Sequence, residues 1–252
     1  MKTHYRELTP TEFRRRMAEA PIAYLPLGTL EWHGEHLPLG ADGLQSEGFM
    51  TRLAERAGGI VLPMLFFGPD RKQERPENTY YGRDISGFKG KPPRQLDGSA
   101  YWVTDELFAQ TIEAILTQLR RVGFRIVVAH GHGPSGHAFR DHVDAWQRQF
   151  DLKLFTCWRD DEHEIRDGLG LMIDHAGANE TSLMMAMYPD LVQMGNLSSD
   201  ADEWPLGVGG QDPRVHASVE TGGKAIALQL DRMTRLLQTA LKRLSDSGCG
   251  PA

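Results

Sequence analysis

Four short apolar runs, set apart by longer stretches of helical periodicity, constrain this chain more than any other feature. Ile22–Leu27, Ile60–Phe67, Arg125–Ala129 and Leu152–Trp158 read as strands. Leu44–Ala57, Thr104–Val122, His137–Phe150, Glu180–Met187 and Gly223–Leu244 read as helices. Strands separated by helices of this length return in the same direction, because the crossover carries the chain back before the next strand begins. The expectation is an α/β fold: a single three-layer α/β/α domain over residues 1–252, around a mostly parallel sheet. The last helix repeats Ile226, Leu230, Met233, Leu237 and Leu241 at spacings of three and four, a stripe suited to the core or to a neighbouring subunit.

Where the strands end, the sequence turns polar in a particular way. Ile22–Leu27 runs into a Gly-rich loop that holds Glu31 and His33 and reaches Asp42 past Gly34 and Gly40. In extended chain, residues two apart face the same side, so Glu31 and His33 project together while the glycines let the loop bring Asp42 back. Arg125–Ala129 ends in His130-Gly131-His132-Gly133, at the carboxyl end of a strand, where α/β sheets place their ligands. Histidines also occur at His137 and His142; His132, flanked by glycines, is the favoured ligand, and the later two fall on a helix as surface or supporting groups. The third segment is His175-Ala176-Gly177-Ala178-Asn179-Glu180, with Glu180 in a first helical turn.

Each segment alone has an ordinary reading. Glu31 and His33 are also what a solvated loop contains, and Glu180 also suits the positive end of a helix begun by Ala178 or Asn179. Together the six side chains form a donor set for two divalent ions, and carboxylate with imidazole suits Zn, Mn or Fe(II) better than Mg or Ca. That combination points to a metal-dependent hydrolase.

Three ordered motifs resemble the creatininase (creatinine amidohydrolase) family: Gly28-Thr29-Leu30-Glu31-Trp32-His33-Gly34-Glu35-His36-Leu37-Pro38-Leu39-Gly40-Ala41-Asp42, the strand ending Gly131-His132-Gly133, and His175-Ala176-Gly177-Ala178-Asn179-Glu180-Thr181-Ser182. Asp97-Gly98-Ser99 is similar to that family's Pro-Gly-Thr turn, and Gly207–Pro213 with Ala217, Ser218 and Gly222 to its C-terminal Gly/Ala-rich stretch. By position, the resemblance implies that Glu31, Asp42 and His132 bind one metal and His33, Asp42 and Glu180 the other, with Asp42 bridging and His175 as the catalytic histidine. It also implies a homo-oligomer, commonly a hexamer, and a small-molecule substrate. The implied reaction is hydrolysis of a non-peptide C–N bond in a small, cyclic amide by a metal-activated water.

Departures from the family pattern point away from creatinine itself. Pro134 stands where creatininases carry a glutamate, Ser135 where an asparagine is common, and the tryptophans that close over creatinine have no evident counterparts. Pro69–Pro93 is an inserted loop whose Arg71, Arg75, Tyr80, Tyr81 and Arg83 either cover the site and read an anionic or polyhydroxylated substrate or form a solvated or subunit-contact surface. The segment is expected to set substrate preference rather than metal affinity. Related members act on other carbonyl compounds, so a cyclic keto-sugar is the alternative substrate, and a non-catalytic metal-binding protein is the alternative outside enzymology. Retention of all five ligands with His175 favours the enzyme.

Composition excludes several classes. A net charge of −6 with no basic stripe argues against nucleic acid. No apolar stretch is long enough to span a membrane, and Met1–Arg16 is too polar for a secretory signal. Cys157 and Cys249 form neither a disulfide framework nor a zinc-ligand spacing, so a reducing cytoplasm is expected, with Cys157 as a buried small hydrophobe.

Overall fold

The computed structural model describes residues 2–88, 91–157 and 168–246. Its centre is a parallel sheet of four strands, β1 (Ile22–Leu27), β2 (Ile60–Val61), β5 (Ile126–Gly131) and β6 (Lys153–Thr156), in the order β2-β1-β5-β6. The numbers β3 (Lys72–Glu74) and β4 (Thr79–Tyr81) belong to a separate antiparallel hairpin. β1 pairs with β5 over its whole length, from Ile22 opposite Ile126 to Leu27 opposite Gly131.

Side chains alternate across β1, and each set finds its own helical layer. Ile22 and Tyr24 pack with Phe49, Met50 and Leu53 of α2 (Ala41–Ala57) and with Ile226, Met233 and Leu237 of the last helix, Val219–Asp246. Ala23, Leu25 and Leu27 face Phe108, Ile112 and Leu116 of α4 (Asp105–Arg121) and Phe139 and Trp146 of α5 (Gly133–Phe150). Burying one such side chain fully contributes roughly 1.5–3 kcal/mol, so the two faces together hold the three layers. Cys157 is buried on the first face, and burial pushes its thiol up to about 12.

Several elements differ from their sequence expectation for local reasons. The expected strand from Ile60 to Phe67 is regular only at Ile60 and Val61, because Pro63 has no N–H to give the ladder. Beyond it the chain stays beside β1 through Leu65 N–H to Pro26 O (3.1 Å) and Gly28 N–H to Leu65 O (2.6 Å). Helix α2 begins three residues early, so Asp42 lies in its first turn instead of in the loop; α5 begins at Gly133, with Pro134 in its first turn. Helix α1 (Pro10–Glu19) was not expected, although Thr9 and Glu12 form a full capping box in front of it. The segment 69–93 contains β3, β4 and the short helix α3 (Arg83–Ser86). Trp158 lies outside the described residues, as does Cys249.

The close of β5 fixes where the chain leaves the sheet. Gly131 has φ +145, and a Cβ there would stand 1.6 Å from Leu27 O, the atom to which His132 N–H donates at 2.8 Å. Strain and overlap each cost about 1–3 kcal/mol. Gly131→Ala should therefore lose roughly 2–5 kcal/mol in chemical denaturation, and an unchanged midpoint would show that the strand end does not depend on this contact.

Candidate metal centre

The loop after β1 is tied down before it reaches the site. Glu31 N–H donates to Leu39 O (2.9 Å), Ala100 N–H to Leu30 O (2.8 Å), and Trp32 N–H to the Ser99 hydroxyl (3.0 Å). The Asp97-Gly98-Ser99 turn thus holds the segment that carries Glu31 and His33. Inside the loop, His33 Nδ1 lies 2.9 Å from Glu31 O, where a proton on it donates to that carbonyl, and Nε2 faces Asp42 Oδ1 at 3.2 Å, where a second proton donates to the carboxylate or a bound cation would take its place.

The other residues arrive from helix starts. His132 caps α5, and its Nδ1 is 3.0 Å from the hydroxyl of Ser135, one turn on and fully buried. Its Nε2 is buried without a hydrogen-bond partner among the described residues. Glu180 lies in the first turn of α6 (Ala178–Met187), but it does not serve as a solvated cap. Asp174 takes that task, accepting from Asn179 N–H (2.8 Å) and Glu180 N–H (3.1 Å), and leaves the buried Glu180 carboxylate 3.6 Å from His33 Nε2.

Two ligand sets result, Glu31–Asp42–His132 and His33–Asp42–Glu180, each with donor atoms within 4.8 Å of one another and with Asp42 in both. His175 joins Glu31 and His33 in a third grouping. Its ring stacks on His33 at 4.3 Å, its Nε2 sits 2.8 Å from Trp32 O, and its Nδ1 lies 4.0 Å from Glu31 Oε2. The donor chemistry fits a pair of divalent ions: buried carboxylates and imidazoles, with an imidazole nitrogen, His132 Nε2, that has no hydrogen-bond partner among the described residues and faces carboxylate oxygens.

Four further histidines among the described residues, His36, His130, His137 and His142, belong to none of these groupings. His36 is a strut, with Nε2 on Thr181 Oγ1 at 2.9 Å and burial pushing it down to about 4. His130 is buried edge-on to Phe49, and burial pushes it down to about 3. His137 and His142 are exposed on α5, as expected.

The inserted segment reaches the cluster with residues other than most of those singled out. Arg71 and Arg75 are exposed, and Tyr80 is buried within the arm. Arg83 is half-buried: its N–H donates to Glu31 Oε1 (3.1 Å), its Nη2 to Gly207 O (2.9 Å), and its Nε has no hydrogen-bond partner among the described residues. Tyr81 stacks on Trp102, which in turn lies against the His132 ring at 5.8 Å. Asp70, which sequence reasoning passed over, brings Oδ2 to 3.4 Å from His132 Nε2. An acidic residue just after Gly68-Pro69 is a faint signal, with no spacing to mark it.

Crowded charge displaces the protonation of these groups. Burial raises Glu31 to about 7 although His132 and His33 oppose it, and raises Glu180 well above the usual range. Burial would depress His33, but Asp42, Glu180 and Glu31 carry it up to about 10. Asp42, despite burial, is held well below the usual range by His33. His175 is pushed well down by burial and by the positive charges of His33 and Arg83, which favours its neutral form.

Comparison with known proteins bears on this geometry. The creatininase family model, described as creatinine amidohydrolase, matches residues 6–247. A creatinine amidohydrolase of Pseudomonas putida is 30% identical over 205 residues, covering 75% of this chain and 73% of that protein. The 3-dehydro-scyllo-inosose hydrolase of Thermotoga maritima is 20% identical over 199 residues, covering 75% of this chain and 57% of its own length. The crystal structure of a creatinine amidohydrolase (creatininase) superposes with a TM-score of 0.71 at 25% identity, over 94% of this chain and 97% of that one.

The raised pKa of His33 has a testable consequence in metal-free protein. A folded value near 10 against an ordinary value near 6.5 stabilises the fold fully below about pH 6.5, and that stability is lost as pH rises toward 10. Denaturation midpoints of metal-free protein should fall from pH 7 to pH 10, and saturating Zn or Mn should flatten that fall by supplying positive charge in place of the proton. A metal-free midpoint independent of pH over this range would contradict the coupling of His33 to Asp42.

Proposed function

The chain belongs to the creatininase family, and on that footing we propose that it hydrolyses a C–N bond in a small, cyclic amide, using water activated by two divalent ions. The observation that carries the reading is the shared position of Asp42 between two buried three-residue ligand sets. Glu31, Asp42 and His132 would hold one ion, and His33, Asp42 and Glu180 the other. The donor chemistry suits Zn, Mn or Fe(II). When bound, the ions would lower the pKa of a water and polarise the substrate carbonyl.

This chain's own residues supply the rest. His175 is neutral, fixed through Nε2 against Trp32 O, and presents Nδ1 toward Glu31 and the cluster. From there it takes the proton released as water attacks and returns it to the departing nitrogen, which must leave protonated. Tyr81 and Trp102 form an aromatic wall beside His132, and Arg83 is the cation that the inserted segment brings against Glu31, suited to a negative or polar substituent on the substrate. Pro134 carries no acid, so proton transfer does not pass through that position.

A second reading, hydrolysis of a cyclic keto-sugar, is supported by the similarity to 3-dehydro-scyllo-inosose hydrolase. Attack on a ring ketone and attack on a ring amide ask the same of the ligands and of His175, and the pocket wall separates them. The reading extends to a single catalytic domain in a cytoplasmic homo-oligomer, a hexamer by resemblance. Among the described residues no helix is long and apolar enough to cross a membrane, and Trp204, Val215 and Val219 expose apolar surface that subunit contacts would cover.

Elemental analysis of purified protein should find two divalent ions per chain, and Asp42→Ala should lose both together with activity; a variant that keeps two ions refutes the bridging role. His175→Asn should keep its metal while turnover on a cyclic amide or keto-sugar falls by roughly 100- to 10,000-fold. Unchanged turnover would remove His175 from the proton path.

A further inference from the structure

The arm formed by residues 69–93 does more than cover the cluster. Asp70 stands at its base with a side chain only 5% exposed, and its two oxygens face opposite ways. Oδ1 accepts the N–H of Arg71 at 2.6 Å, while Oδ2 points to the buried, unpartnered Nε2 of His132 at 3.4 Å. Where the chain returns at the far end of the hairpin, Gly82 N–H donates to Arg71 O at 3.0 Å, which draws the two ends of the arm together. Gly82 has φ +49, and a Cβ there would lie 2.5 Å from both Asp70 Oδ2 and Glu31 Oε1, so the two carboxylates lie close together beside Gly82.

Distances around His132 give this convergence a meaning. Donor atoms bound about 2.0–2.2 Å from one ion stand roughly 3.0–3.6 Å from each other. His132 Nε2 is 3.6 Å from Glu31 Oε2 and 3.4 Å from Asp70 Oδ2, the same range as His33 Nε2 to Asp42 and to Glu180 in the other set. Pro134, on the next turn from His132, offers no donor to that ion.

We infer that Asp70 is a metal ligand supplied by the arm, completing the position of Glu31, Asp42 and His132, so that seating of the arm and occupancy of that position depend on each other. The inference rests on the dinuclear reading above and goes beyond the expectation that the segment bears on substrate preference more than on metal affinity. Arg83 N–H on Glu31 Oε1 is the second clasp of the arm on the same position.

The test is metal binding, read apart from turnover. In chelator competition with Zn or Mn, wild type should show two ions, and Asp70→Asn should bind one of them at least 10-fold more weakly while the other is unchanged. Lys72→Ala, in the exposed part of the hairpin, should match wild type. In cobalt-loaded Asp70→Cys, a thiolate-to-cobalt charge-transfer band absent from wild type should appear, a readout that does not depend on the stability of the Asn variant. Two ions held by Asp70→Asn at wild-type affinity, or a cobalt-loaded Cys variant without the band, would overturn the role of Asp70 and leave the dinuclear reading standing. A wild type that binds no divalent ion would overturn both.

Discussion

The register of β1 on β5 is the constraint on which the site depends. Leu27 lies opposite Gly131, and His132 N–H bonds to Leu27 O, so both strands finish at one level. The loop carrying Glu31 and His33 and the helix capped by His132 therefore start from neighbouring points. Helix α2 then returns Asp42 between them, and α6 adds Glu180 from the other side. A slip of one residue would turn the ends of both strands to opposite faces and separate the two histidines.

That convergence concentrates acid groups where water cannot reach them. Glu31, Asp42, Asp70 and Glu180 are each nearly fully buried, with His33 and His132 as the facing bases. Burying a carboxylate without a positive partner costs several kcal/mol, so the protein must supply positive charge at this point. Protons on His33 and Glu31 can meet part of the need, as their raised pKa values show, and two divalent ions would meet it more fully. The same electrostatics that raises these values makes the cluster a candidate metal site.

Much of this was legible because it is local. The β-branched run ending at Gly131, the Glu31/His33 pair and the helix that starts at Ala178 all arise from residues within a few positions of each other, and the motifs are contiguous. Boundaries moved where one residue changed the local balance, as Pro63 did in the second strand and as Gly40 and Gly133 did by letting helices begin early. The capping box at Thr9 was a local signal left unread. Asp70 was not legible by the same means: its partner His132 is far along the chain, and only the folded hairpin brings the two together.

The arm also links two tasks that sequence reasoning kept apart. Tyr81 stacks on Trp102 beside His132, Arg83 holds Glu31 and Gly207, and Asp70 faces the His132 ring from the base of the same hairpin. A change in the hairpin that alters which substrate fits therefore also shifts groups that touch Glu31 and His132. On the inference that Asp70 holds metal, substrate choice and metal retention would not be independent variables in this protein. In the present fold the arm adds the Asp70 carboxylate to the charge gathered at the strand ends.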